Sequence, residues 1–123
     1  MRVLLIEPGR EPRTVEVDGS NESLQKLVDS TIYRAIFPFE DPVVLGCDEE
    51  AEFHPYQKPN RVVKMKRIGN HVILGPFFLC GIESNNLTDL SDTYVEKYKK
   101  LFQKPDCFIR TKDGRLGVLR LPI

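Results

Sequence analysis

Asn60 and Arg61 stand side by side after a polar, proline-bearing stretch, and a planar guanidinium next to an amide can take a phosphate or carboxylate with two prongs. Lys64 and Lys66 follow, Lys58 and Arg67 are close by, and Phe37, Phe39, Phe53 and Tyr56 lie upstream. Cations and flat rings are the two materials of a nucleotide pocket. In such a pocket Arg61 grips phosphate, Phe37 or Phe39 stacks on a base, and Asn60, Lys64 and Lys66 complete the ligand-binding set. Alternatively, Arg61 pins its own loop, and Phe37 and Phe39 join Phe77 and Phe78 in the core that a chain of this size needs. Solvent exposure of the rings separates the two.

Other side chains promise less chemistry. Glu40, Asp41, Asp48, Glu49, Glu50 and Glu52 supply carboxylates, but their spacing matches no calcium loop, and an acidic run after a strand reads as a solvated turn. His54 and His71 sit in no zinc-binding pattern and read as structural. Cys47, Cys80 and Cys107 are odd in number, far apart and set among apolar residues, as buried free thiols are. No nucleophile elbow, phosphate-binding loop or dinucleotide fingerprint is present, and Gly75, Gly81 and Pro8-Gly9 read as turn glycines. The case for an enzyme is weak, and neither a metal nor a cofactor is expected.

With 123 residues, the chain suits a single domain spanning 1–123. A chain of that length buries roughly 65% of its unfolded surface. Its 18 basic residues balance 18 acidic ones, so no global charge draws it to nucleic acid or to an anionic membrane, and sequence-specific nucleic-acid binding is not expected. The apolar run at the start breaks at Glu7-Pro8-Gly9, and no later run nears the length of a membrane span. A cytoplasmic protein with reduced thiols is the simplest expectation.

The elements that must position these residues follow from patterning. Val3 to Ile6 and Arg13 to Val17 predict a hairpin. Asp18 to Asn21 offers cap chemistry for a short helix whose Leu24, Leu27 and Val28 share one face. Val43-Val44-Leu45 reads as a strand buried on both faces, the central one, with a surface loop from Asp48 to Asn60 behind it. Gly69-Asn70 predicts a hairpin between Val62–Ile68 and His71–Leu74, continuing past a bend at Gly75-Pro76 through Phe77 to Cys80. Ser91 caps the clearest helix, with Leu90 and Val95 as a staple, Val95, Tyr98 and Phe102 as its buried stripe, and Pro105 beyond its end. A last hairpin, Cys107–Thr111 with Leu116–Arg120, turns on the two residues Asp113-Gly114. The sum is an α+β fold: a mixed, mainly antiparallel sheet with two helices packed on it.

Six pieces, VLLIEPGREP, ESLQKLV, IFPFEDPVVLGCDEE, PNR, ILGPFFLCGI and LSDTYVEKYKKLF, run in order along the chain from Val3. Together they resemble a small domain family of unknown function, of the DUF3846 kind, found in bacteria, phages and conjugative elements. Ala51 departs from the glycine usual after the paired acids, and the basic stretch Val62 to Arg67 stands where an acidic turn is usual. The resemblance implies a mobile-element accessory protein that acts by stoichiometric binding. The leading expectation is an oligomer that sequesters a nucleotide second messenger of immunity without cleaving it. The alternative is a protein inhibitor whose acidic face, Glu40 to Glu52, meets a host defence protein, and an enzyme acting on a nucleotide is a further alternative.

Overall fold

The computed structural model describes residues 1–119, and of Leu119 the backbone alone. The apolar run Arg2–Ile6 forms β1 and the alternating Arg13–Glu16 forms β2; they pair antiparallel with Val3 opposite Val15, as the hairpin expectation requires. Ser20 then caps α1 (Asn21–Leu27), its hydroxyl accepting from the Ser23 amide at 3.1 Å. Leu24 and Val28 are buried beneath it and Leu27 is half-buried. β3 (Tyr33–Ile36) leads through the Pro38 and Pro42 turns to β4 (Val43–Asp48), which is buried at every position. After a single 3-10 turn at Ala51–Phe53 come β5 (Pro59–Met65), β6 (Gly69–Leu74), β7 (Phe77–Glu83), β8 (Asn86–Thr88), α2 (Asp92–Leu101), β9 (Cys107–Arg110) and β10 (Leu116–Leu119).

The main sheet has the order β2-β1-β7-β4-β3, with β8 also beside β7, and every pairing is antiparallel. With two helices on it, this is the α+β architecture that the patterning predicts. The centre, however, is β7 and not β4. The Phe77 to Cys80 run does not continue the β5–β6 hairpin: Gly75, at φ +79°, turns the chain out of it, and β7 enters the sheet between β1 and β4. A second continuous apolar strand was available, and long-range pairing chose which one became central.

Alternation along the strands sends side chains to two layers. Leu4, Ile6, Val43, Leu45, Phe77 and Leu79 meet Val95, Tyr98 and Phe102 of α2 and Val63, Met65 and Ile73 of the β5–β6 hairpin. On the opposite face Val3, Val44, Phe78 and Cys80 meet Leu24 and Val28 of α1. Around α2, the Ser91 hydroxyl accepts from the Tyr94 amide at 3.5 Å, Leu90 and Val95 are both buried, and Tyr98 donates to Asp41 at 2.8 Å.

Four local expectations are corrected. The β5–β6 hairpin turns on Lys66-Arg67-Ile68 and not on Gly69-Asn70, because Gly69 pairs with Met65 and Asn70 with Lys64 inside the ladder. The last hairpin turns on three residues, Lys112-Asp113-Gly114, because the Thr111 amide donates to Arg115 O at 2.9 Å and Gly114 takes φ +83°. This is the three-residue turn closed by a left-handed glycine, and the expected end at Arg120 lies outside the described residues. Gly81 lies inside β7 and not in a turn, its missing side chain leaving room for the Asp89 carbonyl. All three cysteines are free thiols, and Cys47 and Cys80 are buried, but Cys107 opens an exposed strand.

Candidate functional site

A cleft of about 600 Å³ opens between the β3–β4 end of the sheet and the β5–β6 hairpin. Two features of the sequence shape it. Arg34 and Ile36, two apart on β3, project to the same face, and both line the cleft. The hairpin tip is held over that edge by the Lys66 amide, which donates to Pro38 O at 3.2 Å. Ile36, Pro38, Met65 and Ile73 supply apolar walls; Lys66, Arg67 and His71 come from the hairpin, and Asp48, Glu49 and Glu52 from the opposite side. Phe37, 51% exposed, and Ile68, 74% exposed, stand at its mouth.

Among the described residues, Arg34, Lys66 and Arg67 take part in none of the ion pairs, which join other residues. A cationic group beside a half-exposed ring and an apolar wall can hold a planar anion, with charge at one end and stacking at the other.

Of the six residues expected to bind a ligand, the cleft brings together Phe37 and Lys66. Lys64 is exposed on β5 but is not part of the lining. Phe39 packs inward, its ring centroid 4.7 Å from that of Tyr98. Asn60 and Arg61 are buried, 0% and 1% exposed. Their donors are taken within the fold: Asn60 donates to Ile6 O at 2.8 Å and Gly75 O at 2.9 Å, and Arg61 donates to Phe102 O at 3.1 Å, Arg10 O at 2.5 Å and Asn60 Oδ1 at 2.8 Å. Here the pair ties β1, β5 and the end of α2 together, away from the cleft. Patterning alone missed Arg34, whose only signal was its place two residues before Ile36 on an amphipathic strand.

The loop behind β4 is held by a second network. The buried Asp48 carboxylate accepts from His54 Nδ1 at 2.6 Å, Gln57 Nε2 at 2.9 Å and the Glu50 amide at 2.9 Å. Gln57 Nε2 also donates to Val28 O at 2.9 Å, joining the loop to the end of α1, and the His54 ring stacks on Tyr56 with centroids 5.2 Å apart. Among the described residues no group of three histidine, cysteine or acidic side chains is placed to hold a metal ion.

Burial alone would raise the Asp48 carboxyl, but hydrogen bonds from His54, Gln57 and the Glu50 amide outweigh it and hold the group below the usual carboxylate range. A carboxyl lowered on folding adds stability above its unfolded value, about 3.9, and that stability is lost as pH falls through the lower folded value. Asp18, Asp41 and Asp113 are lowered too, so the contribution of Asp48 is read as a difference. Urea unfolding between about pH 5 and pH 2 is expected to show the parent losing more stability than Asp48→Asn does over the same interval. Equal losses would remove Asp48 from this role.

No helix among the described residues is long and apolar enough to cross a membrane. A family model described as a domain of unknown function (DUF3846) matches residues 1–103. No curated protein and no solved structure matches the chain.

Proposed function

We propose, from the premise that this chain belongs to the DUF3846 family, that it is a stoichiometric binder of a nucleotide-type anion, taken into the cleft between β3 and the β5–β6 hairpin and held uncleaved. The observation that carries this is the set of three cations, Arg34, Lys66 and Arg67, in no ion pair among the described residues and gathered around an apolar wall with the Phe37 ring half-exposed beside them. The volume lies within the roughly 300–1,000 Å³ of small-molecule sites. Lys66 and Arg67 meet phosphate, Phe37 lies along the base, and Glu49 or Glu52 accepts from an amino edge. In a mobile-element setting such binding removes a nucleotide-derived immune signal from circulation.

A thermal-shift series with cyclic di- and trinucleotides, ADP-ribose isomers and common dinucleotides tests this, each ligand being recovered afterwards. A ligand that binds the folded chain raises its melting temperature. We expect a shift with intact ligand, and the double variant Lys66→Glu/Arg67→Glu to weaken binding at least about 100-fold, since each charge-assisted contact is worth about 1.5–3 kcal/mol. A ligand recovered altered would make the protein an enzyme, and a variant binding as well as the parent would empty the cleft of this role.

A second proposal has its own support. Phe53 and Tyr56, 73% and 52% exposed, stand beside exposed Glu49, Glu50 and Glu52, an aromatic and acidic shoulder suited to a basic protein surface. Glu50→Lys/Phe53→Ala, two changes outside the cleft lining, would abolish capture of such a partner while leaving nucleotide shifts intact.

A further inference from the structure

The main sheet ends in two edges of different character. β2 exposes Arg13, Thr14 and Glu16, a charged edge of the kind that deters pairing with another chain. β3 carries one charge, Arg34, and its flanking residues Ile32 and Phe37 are 43% and 51% exposed. Arg34 and Ala35 are themselves exposed, so nothing among the described residues covers the middle of this strand.

The direction of its main-chain groups can be worked out. The Glu49 amide donates to Ile32 O at 3.2 Å, and the ladder then runs from Tyr33 opposite Asp48 to Ile36 opposite Leu45. Hydrogen-bonded and non-bonded pairs alternate along an antiparallel ladder. Ile32, Arg34 and Ile36 therefore turn their N–H and C=O toward β4, and Tyr33 and Ala35 turn theirs outward.

We propose that a second copy of this chain pairs with β3 through those outward groups, antiparallel about a two-fold axis at Ala35, joining two clefts on one face of a continuous sheet. In this register Ala35 meets the partner's Ala35, Tyr33 meets the partner's Phe37, and Arg34 meets the partner's Ile36. Small residues lie on the axis, an aromatic pair forms on either side, and no like charges are directly opposed. Centring the axis on Arg34 would set two guanidiniums face to face, which disfavours that register.

The consequence for the site is specific. Across the Ala35 axis the two Arg34 residues become diagonal neighbours, roughly 7–8 Å apart along the ladder. Each lines its own cleft, so pairing turns two cationic clefts into one double site with a pair of guanidiniums at its centre. Such a site takes an anion with phosphates at its middle and a planar group at each end, as in a dinucleotide. This ligand class rests on the binding proposed above; the pairing of β3 does not.

Sedimentation velocity across a concentration series, with and without pyrophosphate as the probe, tests the pairing. The parent is expected to dimerise, and pyrophosphate to strengthen the dimer in the parent but not in Arg34→Ala. Ala35→Pro removes an outward N–H and leaves the β4 ladder intact, a placement that edge strands tolerate. With two hydrogen bonds lost across the axis, its association is expected to fall about tenfold or more. Ala35→Glu, which sets two carboxylates face to face, is expected to do the same, and an unchanged melting temperature of either monomer shows that it is folded. A parent that stays monomeric under all conditions, or an Ala35→Pro chain as dimeric as the parent, overturns the proposal. Nucleotide binding by a monomer would sink the pairing and spare the cleft, and a β3 dimer that shifts with no nucleotide would do the reverse.

Discussion

Arg61→Ala is expected to lower the stability of this protein by about 3–5 kcal/mol, the cost of leaving two main-chain carbonyls without their charged donor. Arg61 is 1% exposed and, among the described residues, pairs with no carboxylate. Nε and Nη2 both donate to Phe102 O, at 3.3 and 3.1 Å, Nη2 to Arg10 O at 2.5 Å, and Nη1 to Asn60 Oδ1 at 2.8 Å. Phe102 is the C-cap of α2, so the guanidinium sits at the negative end of that helix. Burial lowers the guanidinium's pKa from its ordinary value and the nearby Asp106 opposes that, but an arginine stays charged. Without it, the Phe102 and Arg10 carbonyls lose donors, at about 1–3 kcal/mol for each group left unsatisfied. For a chain of this length the melting temperature should fall by about 10–20 °C. Arg61→Lys, a point charge without the fork, should recover only part. A loss under about 1 kcal/mol would show that the network does not hold the fold. Any loss of ligand binding in Arg61→Ala has meaning only at temperatures where that chain is folded.

Gly46→Ala is expected to cost about 3 kcal/mol, at the upper end of overpacking effects. Gly46 lies in β4 opposite Phe78 of β7, and a Cβ there would overlap the Phe78 ring, with Cε2 at 2.8 Å and two ring atoms nearer still. The backbone is not the obstacle, since Gly46 does not adopt a positive φ. The ring cannot move aside: it is fully buried, and Tyr33 meets it edge-on with centroids 6.0 Å apart. Gly46→Ala combined with Phe78→Leu should lose less than the sum of the two single changes, because they share one space. Additive losses in thermal unfolding would mean that the two residues are independent.

Both expectations rest on contacts that span the chain, which is why patterning did not contain them. Arg61 next to Asn60 suits a phosphate and a cluster of carbonyls equally well, since either presents oxygen acceptors to the same fork. Only the arrival of Phe102 and Arg10, from opposite ends of the chain, made the carbonyls its partners. Phe37 and Phe39 differ by two positions and carry the same side chain, yet one stands at the mouth of the cleft and the other packs on Tyr98. The prolines around them set the turn, and the fold set which ring faces water.

Local physics made the rest legible. Ser20 and Ser91 end up as caps, Leu90 and Val95 are buried around the second helix start, and Gly114 takes the positive φ of its turn, because each depends on neighbours within a few residues. By itself the sequence determined the α+β class, the two helices, most of the strands and membership of the DUF3846 family. Tertiary structure decided that β7 is central, that Arg61 is a strut, that Arg34, Lys66 and Arg67 gather between β3 and a hairpin tip, and that the β3 edge is left uncovered by the described residues. Caps and turns are settled by bonds between near neighbours, whereas strand order and burial are settled by which distant surfaces exclude water together.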